Sequence, residues 1–509
     1  MRTERPTSRF WRKRAMTSAG LLRLRFQWMS GGEDSARSCR RKGTNMIRRC
    51  WFIALSMMLL PGCTLGPKYK RPPVTVPDAY RGLAPEAGPQ TAASIGDEKW
   101  WTVFQDQQLQ ALIREALAQN YDVRIAATRV LQAQASLGIT RADQFPTISA
   151  GASALNERLP ATRITPEFET SPMQVNLSLF WELDFWGKFR RATESARASL
   201  LATEWGQKAV IWSLISNVAS AYFQLQELDL ELEISERTLA SRKESLRLVE
   251  IREKGGTTSM MDVRQSEELV YTAAAAIPDL ERRIEQQENF ISILLGRNPG
   301  PITRGKSLVE TQISLTVPAG LPSSILERRP DVQSAEQQLV SANALIGVAK
   351  AAYFPQIALT AIGGFQSPAL TNLFTGPAGL WSFGAQLAQP IFTAGRIRSG
   401  VKLSEAQQQQ AVLVYQQSIQ QAFREVSDSL VAYRRNQEFR AQQELLATAA
   451  EDAIRLSTVR YQGGVTSYLE VLDSDTRYFN AAIGLAQAQL NERLALVQLY
   501  NALGGGWQL

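Results

Sequence analysis

Two hydrophobic rhythms alternate along the chain. Leu109, Leu112, Ile113, Ala116 and Leu117 recur at helical spacing, and the stripe runs on through an alanine-rich stretch to Phe145-Pro146, where proline predicts its end. Residues 174–185, QVNLSLFWELDF, switch to period two. Val175, Leu177, Leu179, Trp181, Leu183 and Phe185 share one face, with Gln174, Asn176, Ser178, Glu182 and Asp184 on the other. Alone, this segment reads as a half-buried strand of a soluble sandwich. Its length also suits a tilted membrane-crossing strand with aromatics at one interface, and companions follow at about 147–156, 356–366 and 380–389, flanked by Pro or Gly turns. Proline is absent from Gly187 to Ala276 and from everything after Pro390. Both stretches are rich in Ala, Leu, Gln, Glu and Arg and predict long helices, one of them from about 188 to 254, roughly 100 Å at 1.5 Å per residue. Glutamines at 407–410, 416, 417, 420 and 421 leave the second polar but uncharged, as either a solvated coiled-coil face or a water-filled lumen requires.

The pattern repeats. Asp122-Val123 through Phe145-Pro146-Thr147-Ile148 lines up with Asp331-Val332 through Phe354-Pro355-Gln356-Ile357 at an offset of 209, and Arg252 through Gly255-Gly256 to Thr258-Ser259 with Arg460 through Gly463-Gly464 to Thr466-Ser467 at 208. Each copy predicts a helix, a strand pair, a very long helix and a shorter one, in 101–310 and again in 311–509. A bilayer admits sheet only as a closed barrel, because an open edge leaves amides unpaired in hydrocarbon. Four strands per chain cannot close. Two chains give an eight-stranded barrel filled by its own side chains; three give twelve strands and an aqueous bore. The predicted class is an α+β membrane protein: a trimeric twelve-stranded barrel continuous with a helical tunnel.

Charge and chemistry narrow this picture. Of 56 Lys+Arg and 48 Asp+Glu, residues 1–62 hold fourteen and three, so the net +8 resolves into +11 there and −3 in the body, which carries no electrostatic footprint for nucleic acid. Histidine is absent, which excludes serine–histidine, cysteine–histidine and most zinc chemistry. No Walker-type phosphate loop is present, so the chain cannot power transport, and no pocket motif supports an enzyme. The three cysteines are Cys39, Cys50 and Cys63, leaving the body without a disulfide.

Met46 opens a basic start at Arg48 and Arg49, an apolar run from Trp51 to Leu60, and Leu60-Pro61-Gly62-Cys63. This is a secretory signal in layout and too short to span a membrane. Its end resembles the bacterial lipobox, which implies cleavage after residue 62 and an S-diacylglycerol on Cys63, with an N-acyl chain, palmitate, completing the lipid. Thr64 in place of aspartate implies outer-membrane delivery. Residues 1–45 read as an extension from a start set too early, or as disordered, and 63–100 as an extended acylated segment.

The blocks Ala351-Ala-Tyr-Phe-Pro-Gln-Ile357, Pro390-Ile-Phe-Thr-Ala-Gly-Arg396, Phe423-Arg-Glu-Val-Ser-Asp428, Arg460-Tyr-Gln-Gly-Gly-Val465 and Tyr500-Asn-Ala-Leu-Gly-Gly-Gly-Trp507 resemble the lipoprotein branch of the TolC-type outer-membrane efflux family, as do Asp184-Phe-Trp-Gly187 and Leu326-Glu-Arg-Arg-Pro-Asp331. The likeness covers about Cys63 to Trp507. It implies a homotrimer that works without a cofactor or metal of its own. Such a duct passively conducts drugs or other small molecules delivered by a periplasmic adaptor and a resistance-nodulation-division pump. A duct for type I protein secretion has the same architecture, and a non-conducting lipid-anchored scaffold is the reading from another class. On the match, Thr466 to Asp475 is the gate-forming turn and helix start. Leu469 aligns with the apolar constriction, Asp473 with the acidic ring one turn on, and Glu470 with a second acid of some relatives, while Tyr461, Thr466 and Asp262 stand where they can support the gate. Thr466 occupies the place of an arginine latch found in some members. Without the resemblance, these acids are ordinary first-turn carboxylates favoured by the helix dipole. Asp262 takes the place of Glu470 in the first copy, and Arg264 and Gln265 those of Leu472 and Asp473, so the two tips differ, as inner and outer helix pairs require.

Overall fold

The computed structural model describes residues 64–81, 94–161, 163–164, 166–309 and 320–508. Cys63 and the predicted signal lie outside them. Among the described residues the longer helices are α1 (Gln107–Gln119), α2 (Tyr121–Ala142), α3 (Lys188–Lys254), α4 (Met260–Leu294), α5 (Pro330–Ala351), α6 (Arg396–Gln462) and α7 (Tyr468–Ala502). The strands are β1 (Thr147–Ala154), β2 (Glu157–Leu159), β3 (Phe168–Thr170), β4 (Met173–Glu182), β5 (Gln356–Ser367) and β6 (Gly379–Ala388). Helix lengths recur in order: α2 and α5 have 22 residues, α3 and α6 have 67, α4 and α7 have 35.

One expectation is corrected. The first helical stripe does not run unbroken to Pro146. The Asn120 side chain accepts hydrogen bonds from the amides of Asp122 (2.8 Å) and Val123 (3.2 Å) and donates to the Leu294 carbonyl (2.8 Å). It thereby ends α1 and caps α2, because it satisfies amides that a helix start leaves without partners. Helix α2 then stops at Ala142, four residues short of the proline.

Strands β1, β4, β5 and β6 form one antiparallel sheet in the order β1-β4-β5-β6, and β2 and β3 make a small hairpin at its far end. The register sorts the sheet by face. Ile148, Ala150 and Ala152 align with Leu179, Leu177 and Val175, then with Ala361, Gly363 and Phe365, and Phe383 and Trp381 continue the rows. This face is apolar except for Ser367, which lies opposite Met173 at the end of β5. The opposite one carries Ser149, Gly151, Ser153, Gln174, Asn176, Ser178, Gln366, Ser382 and Gln386. Trp381 and Phe383 are 76% and 78% exposed and stack 5.5 Å apart, an amount of open aromatic surface that water does not favour. No helix among the described residues is long and apolar enough to cross a membrane.

The main core sits where the helices meet at mid-length, built from Leu109, Ile113, Val218, Tyr222, Leu225, Ile291, Val426, Leu496 and Tyr500.

Candidate functional site: the helical tip

The far ends of the long helices turn back through two loops of the same construction. In the first, the amides of Gly255 and Thr257 donate to the carbonyls of Ile251 (3.0 Å) and Arg252 (2.9 Å); in the second, those of Gly463 and Val465 donate to Val459 (3.0 Å) and Arg460 (3.0 Å). Each turn needs one residue in the left-handed region, supplied by Gly256 (φ 72°) and Gly464 (φ 71°). Behind them Val249, Val263, Tyr468, Val471 and Leu472 form a small buried cluster joining the two hairpins.

The geometry is shared but the chemistry is not. At the start of α4, Asp262 accepts from the Ser259 amide (3.0 Å), the Ser259 hydroxyl (2.9 Å) and the Thr258 hydroxyl (2.6 Å), while Ser259 Oγ accepts from the Asp262 amide (3.2 Å). This closed capping box holds Asp262 below the usual carboxylate range, the Thr258 hydroxyl contributing most. The lowered value means that the cap's contribution is complete above the ordinary carboxylate range and is lost as pH falls through that value. Asp262→Asn should therefore cost about 1 kcal/mol of local stability at neutral pH, read as faster amide exchange over residues 258–266, and the difference from wild type should vanish in strong acid.

At the start of α7, Ser467 makes no side-chain cap. Glu470 instead accepts from the Thr466 hydroxyl and lies 3.6 Å from Arg460. Three residues on, Asp473 pairs with Arg477 at 2.9 Å, both well exposed. Leu469, 62% exposed, lies one turn before Asp473 on the same face. Tyr461 packs 5.1 Å from Tyr468 and under the Arg252 guanidinium at 4.5 Å, its hydroxyl buried without a hydrogen-bond partner among the described residues. Burial pushes the Tyr468 phenol upward. The tip thus brings Leu469, Glu470, Asp473, Thr466 and Tyr461 together around α7, while Asp262 spends its carboxylate on capping α4.

The family described as outer membrane efflux protein matches residues 112–297 and again 321–505. The chain belongs to that family. It is 39% identical over 465 residues to the solvent efflux pump outer membrane protein SrpC of Pseudomonas putida, spanning 89% of this chain and 97% of that one. It is 36% identical over 454 residues to the cation efflux system protein CusC of Escherichia coli O6:H1, with coverage of 89% and 97%. A solved structure of CusC, at 33% identity, superposes with a TM-score of 0.80 over 87% of this chain and 100% of that one. The expectation of an outer-membrane efflux channel holds, and the family is one of ducts, not of enzymes.

Within this efflux protein the Leu326–Asp331 block is structural. Arg329, 2% exposed, pairs with Asp331 at 2.6 Å and Glu425 at 2.7 Å, donates to the Ala502 carbonyl and lies 5.0 Å from the Trp212 ring. It ties the start of α5 to α3, α6 and α7. Sequence reasoning missed the partners of the tip acids. Arg477 was legible as an i,i+4 mate of Asp473; Arg460 faces Glu470 only because the turn folds back.

Proposed function

We propose that three copies of this chain close head to tail into a twelve-stranded barrel and tunnel, through which drugs or other small molecules leave the cell. A periplasmic adaptor and an RND-type inner-membrane pump would supply them. The observation that carries the reading is an unfilled place in the helical layer. Helix α5 lies between α3 and α6 and buries Val332, Ala335, Leu339, Ala344 and Ile346 among others. Its counterpart α2 packs substantially on α3 alone, buries only Ala126, and leaves Tyr121, Ile125, Leu131 and Ile139 exposed. The missing neighbour is an equivalent of α3 on the other side, which is α6 of another copy. Unpaired edges on β1 and β6 make the same demand in the sheet.

The repeat supports a definite contact between the copies in this reading. Ser341 of α5 shares hydrogen bonds with Ser195 (2.8 Å) and Ser199 (2.9 Å) of α3. Moved by the repeat offset, these become Gln132 facing Leu403 and Gln407 of the next copy, and all three are exposed in the single chain. Because the body from Thr64 onward has no cysteine, Gln132→Cys with Gln407→Cys gives a clean pair. Oxidation should convert the protein to covalent trimers on a non-reducing gel; monomers alone, or open ladders beyond trimer, would defeat the reading.

Lipidation at Cys63 is supported from its neighbour. The Leu65 amide donates to the Trp186 carbonyl (3.2 Å) and Arg191 donates to the Leu65 carbonyl (3.0 Å), which holds Leu65, two residues after Cys63, at the junction of sheet and helices. Tyr69 and Arg71 then hold Glu336 of α5 at 3.0 and 2.6 Å, strapping the segment along the helices. The tip, with Leu469, Glu470 and Asp473, is the gate in this reading. Small-molecule cargo is favoured over protein because the relatives are named as proteins of a solvent efflux pump and of a cation efflux system.

A further inference from the structure

Ion pairs of very different worth meet near the tip. Arg460–Glu470 and Arg477–Asp473 are open to water, with side-chain exposures of 56%/41% and 75%/57%, so each contributes little on its own. Arg242 and Asp475 differ: they pair at 2.7 Å with side chains 4% and 16% exposed. The Arg242 guanidinium also donates to the Leu269 carbonyl at 2.9 Å and lies 5.1 Å from the Phe479 ring. One side chain of α3 therefore holds both α4 and α7, roughly two to three turns behind the tip.

Asp475 follows Asp473 by two residues, about 200° around the helix. Helix α7 thus presents Leu469 and Asp473 outward on one side and the anchored Asp475 inward on the other. The repeat supplies a control. The positions equivalent to Arg242 and Asp475 in the other half are Ala450 and Glu267, and Glu267 pairs instead with Arg264 on its own helix at 2.6 Å. The buried link belongs to α7 and has no counterpart on α4.

We infer that the Arg242–Asp475 pair is a positioning clamp that holds α7 against α3 in the closed duct and must separate for the tip to open. This rests on the gate reading of Leu469 and Asp473. Removing one partner leaves the other charge buried and unpaired, which penalises the closed arrangement strongly; an open arrangement that lets water reach both groups escapes that penalty.

The test is single-channel conductance of the purified full-length protein in planar bilayers for Arg242→Ala, Asp475→Asn, Arg242→Lys and Leu469→Ala, with thermal melting of each. Arg242→Ala and Asp475→Asn should raise the open-to-closed ratio by about tenfold or more. Arg242→Lys, whose ammonium still reaches Asp475, should stay near wild type, a rescue that loss of packing alone does not give. If Leu469→Ala opens the duct and Arg242→Ala and Asp475→Asn do not, the clamp is wrong and the gate stands. If none of the variants opens it, the gate reading falls and the clamp with it. If Arg242→Lys opens as far as Arg242→Ala, the ion pair is not what holds the helix. Should Arg242→Ala fail to assemble, Asp475→Asn, which keeps the side-chain volume, decides the matter alone.

Discussion

Alanine at Leu469 or at Asp473 should raise the ion conductance of the purified channel several-fold, with the double variant higher still. Leu469 is 62% exposed in the single chain, and around a threefold axis its copies would meet each other. An apolar ring narrows a pore and sheds water from it. Cutting leucine to alanine removes about 2–3 kcal/mol of apolar contact per side chain, and 1.4 kcal/mol is already about a factor of ten in an open-to-closed ratio. Asp473 acts through charge. Its partner Arg477, 2.9 Å away, becomes an unbalanced cation in Asp473→Ala, and three such cations around the axis of the proposed trimer would repel. Planar-bilayer recording reads both effects. Wild-type conductance in both single variants and in the double would place the constriction elsewhere.

The second large effect belongs to the sheet. Leu177 lies mid-strand on β4 between Ala150 and Gly363, on the face where the rows are apolar, and is 58% exposed. In the proposed barrel, Leu177→Arg would put a charge against lipid at a cost of about 2–4 kcal/mol per chain near the bilayer midplane, and the proposed trimer would incur it three times. The variant should be missing from outer-membrane fractions, or recovered as monomer. Ser178→Arg, one residue on and facing the other way between Ser149 and Ile362, should assemble normally and change only the ion selectivity of the bore. Equal trimer yields for the two would show that the apolar face does not meet lipid.

Much of the fold was legible because periodicity is a local quantity. The long helix expected from 188 to 254 spans Lys188–Lys254, since ninety residues without proline leave no point of interruption before the paired glycines. Strands expected at 147–156, 174–185, 356–366 and 380–389 appear at 147–154, 173–182, 356–367 and 379–388. The late ends of the first two were overestimated because alternation continues into residues that leave the ladder: the Leu183 amide still reaches the Ile357 carbonyl at 2.8 Å, yet the chain bends at once toward α3. The hairpin of β2 and β3 was missed. Three-residue strands carry too little alternation to register, and this pair is closed by Arg158 against Glu167 and Glu169. The break at Asn120 had a local sign, an Asn directly before Tyr-Asp, but the apolar stripe on either side masked it.

By itself, the sequence determined the element types, their duplication, the two faces of the sheet and, through matching motifs, the position of the paired-glycine turns. Each follows from spacing along the chain or from residues adjacent in it. Tertiary structure alone decided which charges meet between helices. Arg242 and Asp475 are 233 positions apart, and nothing local distinguishes Arg242 from the exposed arginines of the same helix. It also decided the different fates of Asp262 and Glu470, equivalent in the repeat. Ser259 turns its hydroxyl to the helix start and Ser467 does not, so one acid becomes a cap and the other is free to take Arg460 across the turn. Periodicity sets which way a side chain points, but burial and partnership depend on what the rest of the chain brings to that side.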